Sequence, residues 1–103
     1  MAELILQNRR NGELWLNLSC GLNEQGDFVI AGHDLGPGTE YEWWTTVAAV
    51  DIPALIELLG GAPGDDLFEI LEREWVPVEG DGLERKIRDS VVPSSFSNYH
   101  HFD

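Results

Sequence analysis

Apolar and polar residues alternate with a period of two in the first part of the chain. Leu14, Leu16 and Leu18 alternate with Glu13, Trp15, Asn17 and Ser19, and Leu4 and Leu6 supply a matching row within residues 3–9. Successive side chains on a strand point to opposite faces, so this pattern predicts two strands, each with one apolar face. Asn11-Gly12 lies between them. That dipeptide predicts a hairpin with a type I′ turn, in which both central residues take positive φ. After a polar loop from Gly21 to Gly26, residues 27–33 read as a third strand. Leu35-Gly-Pro-Gly-Thr39 is a turn cluster, and residues 41–48, rich in aromatic and β-branched side chains, read as a fourth strand. Tyr41, Trp43, Thr45 and Val47 share one face of it, and Glu42, Trp44, Thr46 and Ala48 the other. A Trp on each face predicts a strand that is central or covered on both sides.

The period then changes. Ile52, Leu55, Ile56, Leu58 and Leu59 follow at helical spacing, with Asp51 as N-cap, Pro53 in the first turn and Gly60-Gly61 as the stop. Asp65 or Asp66 caps a second helix that turns Leu67, Phe68, Ile70, Leu71 and Trp75 inward, and Glu69 and Arg73 are spaced for an i, i+4 pair. A short third helix runs from Leu83 to Asp89, with basic residues at its C-terminal dipole end. Residues 90–103 read as a closing strand or an extended arm. Strands followed by helices predict an α+β fold: a four-stranded antiparallel sheet, five-stranded if the tail joins it, with two or three C-terminal helices on one face.

The length, 103 residues, is that of one domain, and no internal linker divides it. Nineteen acidic residues against six basic ones give a net charge of −13. Between Asn11 and Glu84 the balance is −15, with Arg73 as the single cation; Arg9, Arg10, Arg85, Lys86 and Arg88 lie at the borders of that window. Direct nucleic-acid binding needs clustered Lys and Arg, and anionic membrane surfaces repel such a chain, so both are disfavoured. No apolar run approaches the ~20 residues of a membrane span. The start, Met1-Ala2-Glu3-Leu4, shows no secretory leader pattern, and a lone cysteine suits a reducing compartment, so a cytoplasmic location is expected.

Candidate chemistry is thin. His33 and Asp34 are adjacent, which on a strand sends them to opposite faces, so a strand-end His and a turn-capping Asp are the expected roles. Cys20 continues the apolar row of Leu14, Leu16 and Leu18 and reads as a small buried hydrophobe rather than a nucleophile beside His33. His100-His101-Phe102-Asp103 matches no closed metal-site spacing. The pairs Glu40/Glu42, Asp65/Asp66 and Glu72/Glu74 read as solvated acids rather than a glycosidase dyad. The glycines from Gly32 to Gly38 lack the Lys of a phosphate loop, and the acidic loops miss the calcium-loop pattern. No enzyme activity, no cofactor and no metal are therefore expected. Trp43-Trp44 is the least ordinary pair: one Trp enters the core, and the other is covered by a second layer or meets a partner.

An acidic body without a catalytic set points to a basic protein partner, approached by electrostatic attraction. The expected contact residues are Asp34, Glu40, Glu42, Trp44, Asp65 and Asp66. A homodimer through a sheet edge or the Trp44 face is the alternative. The runs Gly26-Asp-Phe-Val-Ile-Ala-Gly-His-Asp-Leu-Gly36, Glu40-Tyr-Glu-Trp-Trp-Thr-Thr-Val47 and Asp51-Ile-Pro-Ala-Leu-Ile-Glu-Leu-Leu-Gly-Gly61 resemble a group of small acidic bacterial proteins frequent in actinobacteria. That group resembles in turn the immunity proteins of polymorphic toxin systems, including contact-dependent growth inhibition. The resemblance covers roughly residues 13–75. It implies cytoplasmic neutralisation of a toxin, such as a basic nuclease, and assigns no functional residue.

Overall fold

Five strands pair in chain order as an antiparallel meander: β1 (Glu3–Asn11), β2 (Leu14–Leu22), β3 (Phe28–Gly36), β4 (Thr39–Val47) and β5 (Ser95–Phe102). Three helices, α1 (Ile52–Leu58), α2 (Leu67–Glu74) and α3 (Leu83–Arg88), lie between β4 and β5. The computed structural model describes residues 3–102, with side chains through His100. The α+β class is as the sequence pattern predicts, and the tail supplies the fifth strand. It adds to β4 from Thr39↔Phe102 to Thr46↔Ser95.

The register explains where the core sits. Leu18 pairs with Gly32, Cys20 with Ile30 and Leu22 with Phe28; Gly32, Ile30 and Phe28 in turn pair with Trp43, Thr45 and Val47. Directly paired residues share a face, so these rows form one apolar surface. Leu55, Ile56, Leu67, Ile70, Leu71, Leu83, Ile87 and Val92 close over it from the helical layer. Phe28, Ile30, Val47, Leu55, Leu71, Leu83 and Ile87 have no solvent exposure. Full burial of each such side chain is worth about 1.5–3 kcal/mol. At Leu6 the β1–β2 register slips, and the bulge turns this buried leucine into the core.

Several local expectations change. The first hairpin closes with Asn11 opposite Leu14, so its central residues are Gly12 and Glu13, one position later than predicted. Only Gly12 has positive φ, 61°, which fits a type II′ turn and not I′. A turn centred on Asn11-Gly12 would slide the pairing by two residues, setting Arg9 opposite Leu14 where it now meets Leu16. Asp51 sits before α1 but makes no side-chain cap, because residues 49–51 form a 3-10 turn there. Asp66 caps α2 by accepting from the Phe68 amide at 2.9 Å, while Asp65 accepts from the Ala62 amide at 2.7 Å. Arg73 pairs with the adjacent Glu74 at 3.3 Å, not with Glu69. Finally, β4 is interior to the sheet, but the helices cover only one of its faces. No helix among the described residues is long and apolar enough to cross a membrane.

Candidate functional site

The two tryptophans of β4 serve opposite faces. Trp43 faces the helices. Its ring lies flat over Gly32, where a Cβ would stand 2.1 Å from two ring carbons. It stacks on Tyr41 with centroids 5.3 Å apart and donates from Nε1 to Glu84 at 3.0 Å. The hydroxyl of the buried Thr45 donates to the other oxygen of the same carboxylate at 2.5 Å. Glu84, on the first turn of α3, thus ties the helical layer to β4. Nothing in the sequence pattern marks it, since it reads as one more surface acid.

Trp44 occupies the other face, which no helix covers. It is half-buried and walls a shallow depression floored by Ser19, Gly21, Val29 and Ala31. Small residues there let the indole lie against the sheet. Farther along the same face, the Trp15 indole donates to Asn8 at 2.7 Å and meets the His33 ring edge-on at 5.2 Å. Arg10 lies 5.7 Å from the centroid of the Trp15 ring, in the range of a cation–π contact. His33 pairs across the strands with Glu42, and its Nε2 donates to Glu40 at 2.7 Å. One nitrogen or oxygen from each of His33, Glu40 and Glu42 lies within 4.8 Å of the others. Exposed Ile5, Leu35 and Tyr99 complete the face, at 52 %, 38 % and 45 % exposure. It is an aromatic and aliphatic surface with a carboxylate–imidazole cluster set into it.

The expected contact residues do not form one patch. Glu40, Glu42 and Trp44 share the open face. Asp34 lies on the opposite face, paired with Leu16 and Tyr41 inside β3, and does not cap the turn. Asp65 and Asp66 are exposed in the helical layer, where their carboxylates hold backbone amides around the start of α2. Missed by the sequence reading are Trp15 and His33 as members of the open face with Glu40. The signal was present in the β2 and β3 alternation, but only the register sets these residues side by side.

Cys20 and His33 face opposite sides of the sheet, so they cannot act as a nucleophile–base pair. Cys20 is 2 % exposed, and burial, helped by the charge of Glu3, pushes its thiol up to about 12. A hollow between β1 and the segment 78–82 is spanned by Arg9, whose Nε donates to Glu79 at 3.1 Å with its Nη2 on the second oxygen. The pair holds the Glu79 carboxyl below its ordinary range. Of the terminal run His100-His101-Phe102-Asp103, Asp103 and the side chains of His101 and Phe102 lie outside the described residues; His100 packs its ring 4.3 Å from Tyr41. Compared with known proteins, the chain matches no family model, no curated protein and no solved structure.

Proposed function

We propose that this chain is a non-catalytic binding protein that acts through the open face of its sheet on a basic protein partner. The concrete form of the proposal is a cytoplasmic immunity or inhibitor protein that neutralises a toxin such as a nuclease. One observation carries it: Trp15, Trp44 and Tyr99 share an uncovered face with Glu40 and Glu42, in a chain of net charge −13. Aromatic anchors in an acidic surround supply both the desolvated contact area and the steering field that a cationic partner requires. Neutralisation then follows by occlusion, with the acidic face covering the cationic cleft through which a nuclease holds its substrate.

The test is capture of partners from the producing cell at low salt by the wild-type chain and by Trp44→Ala and Glu42→Lys variants. A basic protein held by the wild type, released by salt and lost from both variants supports the proposal. Capture that both variants retain, or no basic partner at all, refutes it. A second reading is favoured by β5. This edge strand presents Phe96 and Tyr99 at 51 % and 45 % exposure and carries no Asp, Glu, Lys or Arg from Ser95 to Phe102. Such an edge suits pairing with a second copy, in a small structural or regulatory homodimer. Light scattering at micromolar concentration separates the two, because a stable dimer that hides the open face removes the first reading.

A further inference from the structure

We propose that His33, Glu40 and Glu42 bind a divalent transition-metal ion of the zinc class at the surface of the sheet. The three residues come from two neighbouring strands whose pairing sets His33 directly opposite Glu42. Their donor atoms already lie within 4.8 Å of one another. Metal–ligand bonds of about 2.0–2.2 Å place ligand atoms roughly 3.3–3.6 Å apart, so side-chain torsions alone close the site. One imidazole and two carboxylates form a nitrogen–oxygen set that suits zinc and its neighbours in the transition series better than calcium or magnesium.

A second observation concerns charge. Two half-buried carboxylates converge on one imidazole, and among the described residues neither forms a salt bridge with a Lys or Arg. Arg10, the cation nearest along this face, is engaged by the Trp15 ring. Like charges brought together in a partly desolvated setting favour an added cation. The imidazole is also held in place: Trp15 meets it edge-on at 5.2 Å and Glu40 accepts a hydrogen bond from its Nε2 at 2.7 Å. An ion takes the place of that hydrogen bond. His33 then ligates through Nε2, and the proton that Nε2 carried in the hydrogen bond to Glu40 passes to Nδ1 or to solvent. The side chains of His33 and Glu40 remain 27 % and 35 % exposed, which leaves the outer coordination position to water or to a partner's group. The inference rests on the geometry of the free protein and not on the partner reading above.

The test is calorimetric titration of the chelator-treated full chain with Zn²⁺, Ca²⁺ and Mg²⁺, with Trp fluorescence followed in parallel because Trp15 touches His33. Expected are one Zn²⁺ per chain, a fluorescence change at the same stoichiometry, and at least tenfold weaker binding in His33→Ala and in Glu42→Gln. Circular dichroism checks that both variants are folded. Should either be unfolded, titration of the wild type followed through its His33 ring resonances in NMR decides instead. Three results overturn the proposal: unchanged affinity in folded His33→Ala, equal affinity for Ca²⁺ and Zn²⁺, or loss of binding in a His100→Ala/His101→Ala variant that keeps His33. The last would assign the ion to the chain's terminal histidines.

Discussion

Replacing Gly32 with Ala isolates the contact that organises the centre of the sheet. Carbon atoms at rest stand about 3.5–4.0 Å apart. A Cβ at Gly32 would lie 2.1 Å from Cε2 and Cζ2 of Trp43 and 2.6 Å from Cη2. The ring must therefore retreat by more than an ångström by this measure. It is held by Glu84 at 3.0 Å and by its stack on Tyr41, so retreat breaks contacts on two further elements. Overpacking of this kind costs about 1–3 kcal/mol. Loss of a hydrogen bond to a carboxylate adds about 1.5–3 kcal/mol, less what water recovers at a half-buried site. Against this, Ala is better than Gly inside a strand by roughly 0.5–1 kcal/mol. The expected net loss is about 2–4 kcal/mol, a large part of a domain stability of roughly 5–15 kcal/mol. Urea denaturation followed by circular dichroism reads it directly. The decisive comparison is the same change in a Trp43→Ala background. There the obstacle is gone, and Gly32→Ala is expected to stabilise by roughly 0.5–1 kcal/mol. Should Trp43→Ala not fold, Trp43→Val serves, since valine lacks the ring atoms that fill the space over the glycine. A Gly32→Ala protein as stable as wild type, or an equal penalty in both backgrounds, refutes the argument.

Other predictions follow from the same geometry. Glu84→Ala leaves the Trp43 indole and the buried Thr45 hydroxyl without their shared acceptor, and is expected to lower stability by about 2–4 kcal/mol in urea denaturation. Glu84→Gln keeps one acceptor oxygen and should lose about half of that, on the same principle. Cys20 should resist thiol reagents in the folded state at pH 8 and react only on unfolding, since it is 2 % exposed and its thiol is raised to about 12. The raised folded value makes its contribution to stability complete below the ordinary thiol range near 9 and progressively lost as pH rises towards 12. Wild type should therefore lose stability relative to Cys20→Ala across that interval, and a constant difference between them would falsify the assignment. Deleting residues 95–103 makes β4 the sheet edge and strips its pairing from Thr39 to Thr46. Lower thermal stability and concentration-dependent aggregation by light scattering are expected.

Much of the fold was legible because short-range patterns and burial agree. The Leu14–Leu16–Leu18 row and the helical spacing of Ile52, Leu55 and Ile56 each correspond to an element. A local turn signal does not by itself fix the register. Asn11-Gly12 is the stronger turn signal, yet the turn sits at Gly12-Glu13, in the register that sets Arg9 opposite Leu16 and Gln7 opposite Leu18. The tail is a case of missing information: Ser95–Phe102 carries no clean apolar alternation, and its role as a strand depends on the free edge of β4. The candidate site was legible only in part. Glu40, Glu42 and Trp44 share a face by simple alternation, whereas Asp34, Asp65 and Asp66 were grouped with them by charge alone and lie elsewhere.

By itself, then, the chain's order of residues determines the element types, the apolar face of each element, the acidity and the lack of a recognisable catalytic motif. These follow from periodicity and composition, which are local or summed quantities. Tertiary structure decides which side of the sheet the helices cover, and so which tryptophan is core and which is available. It also decides that Glu84 is a tie between layers and that His33 meets Glu40 and Glu42. Those outcomes depend on distances between residues far apart in sequence, set by strand register, and no local pattern encodes a register that three hairpins and a returning tail fix together.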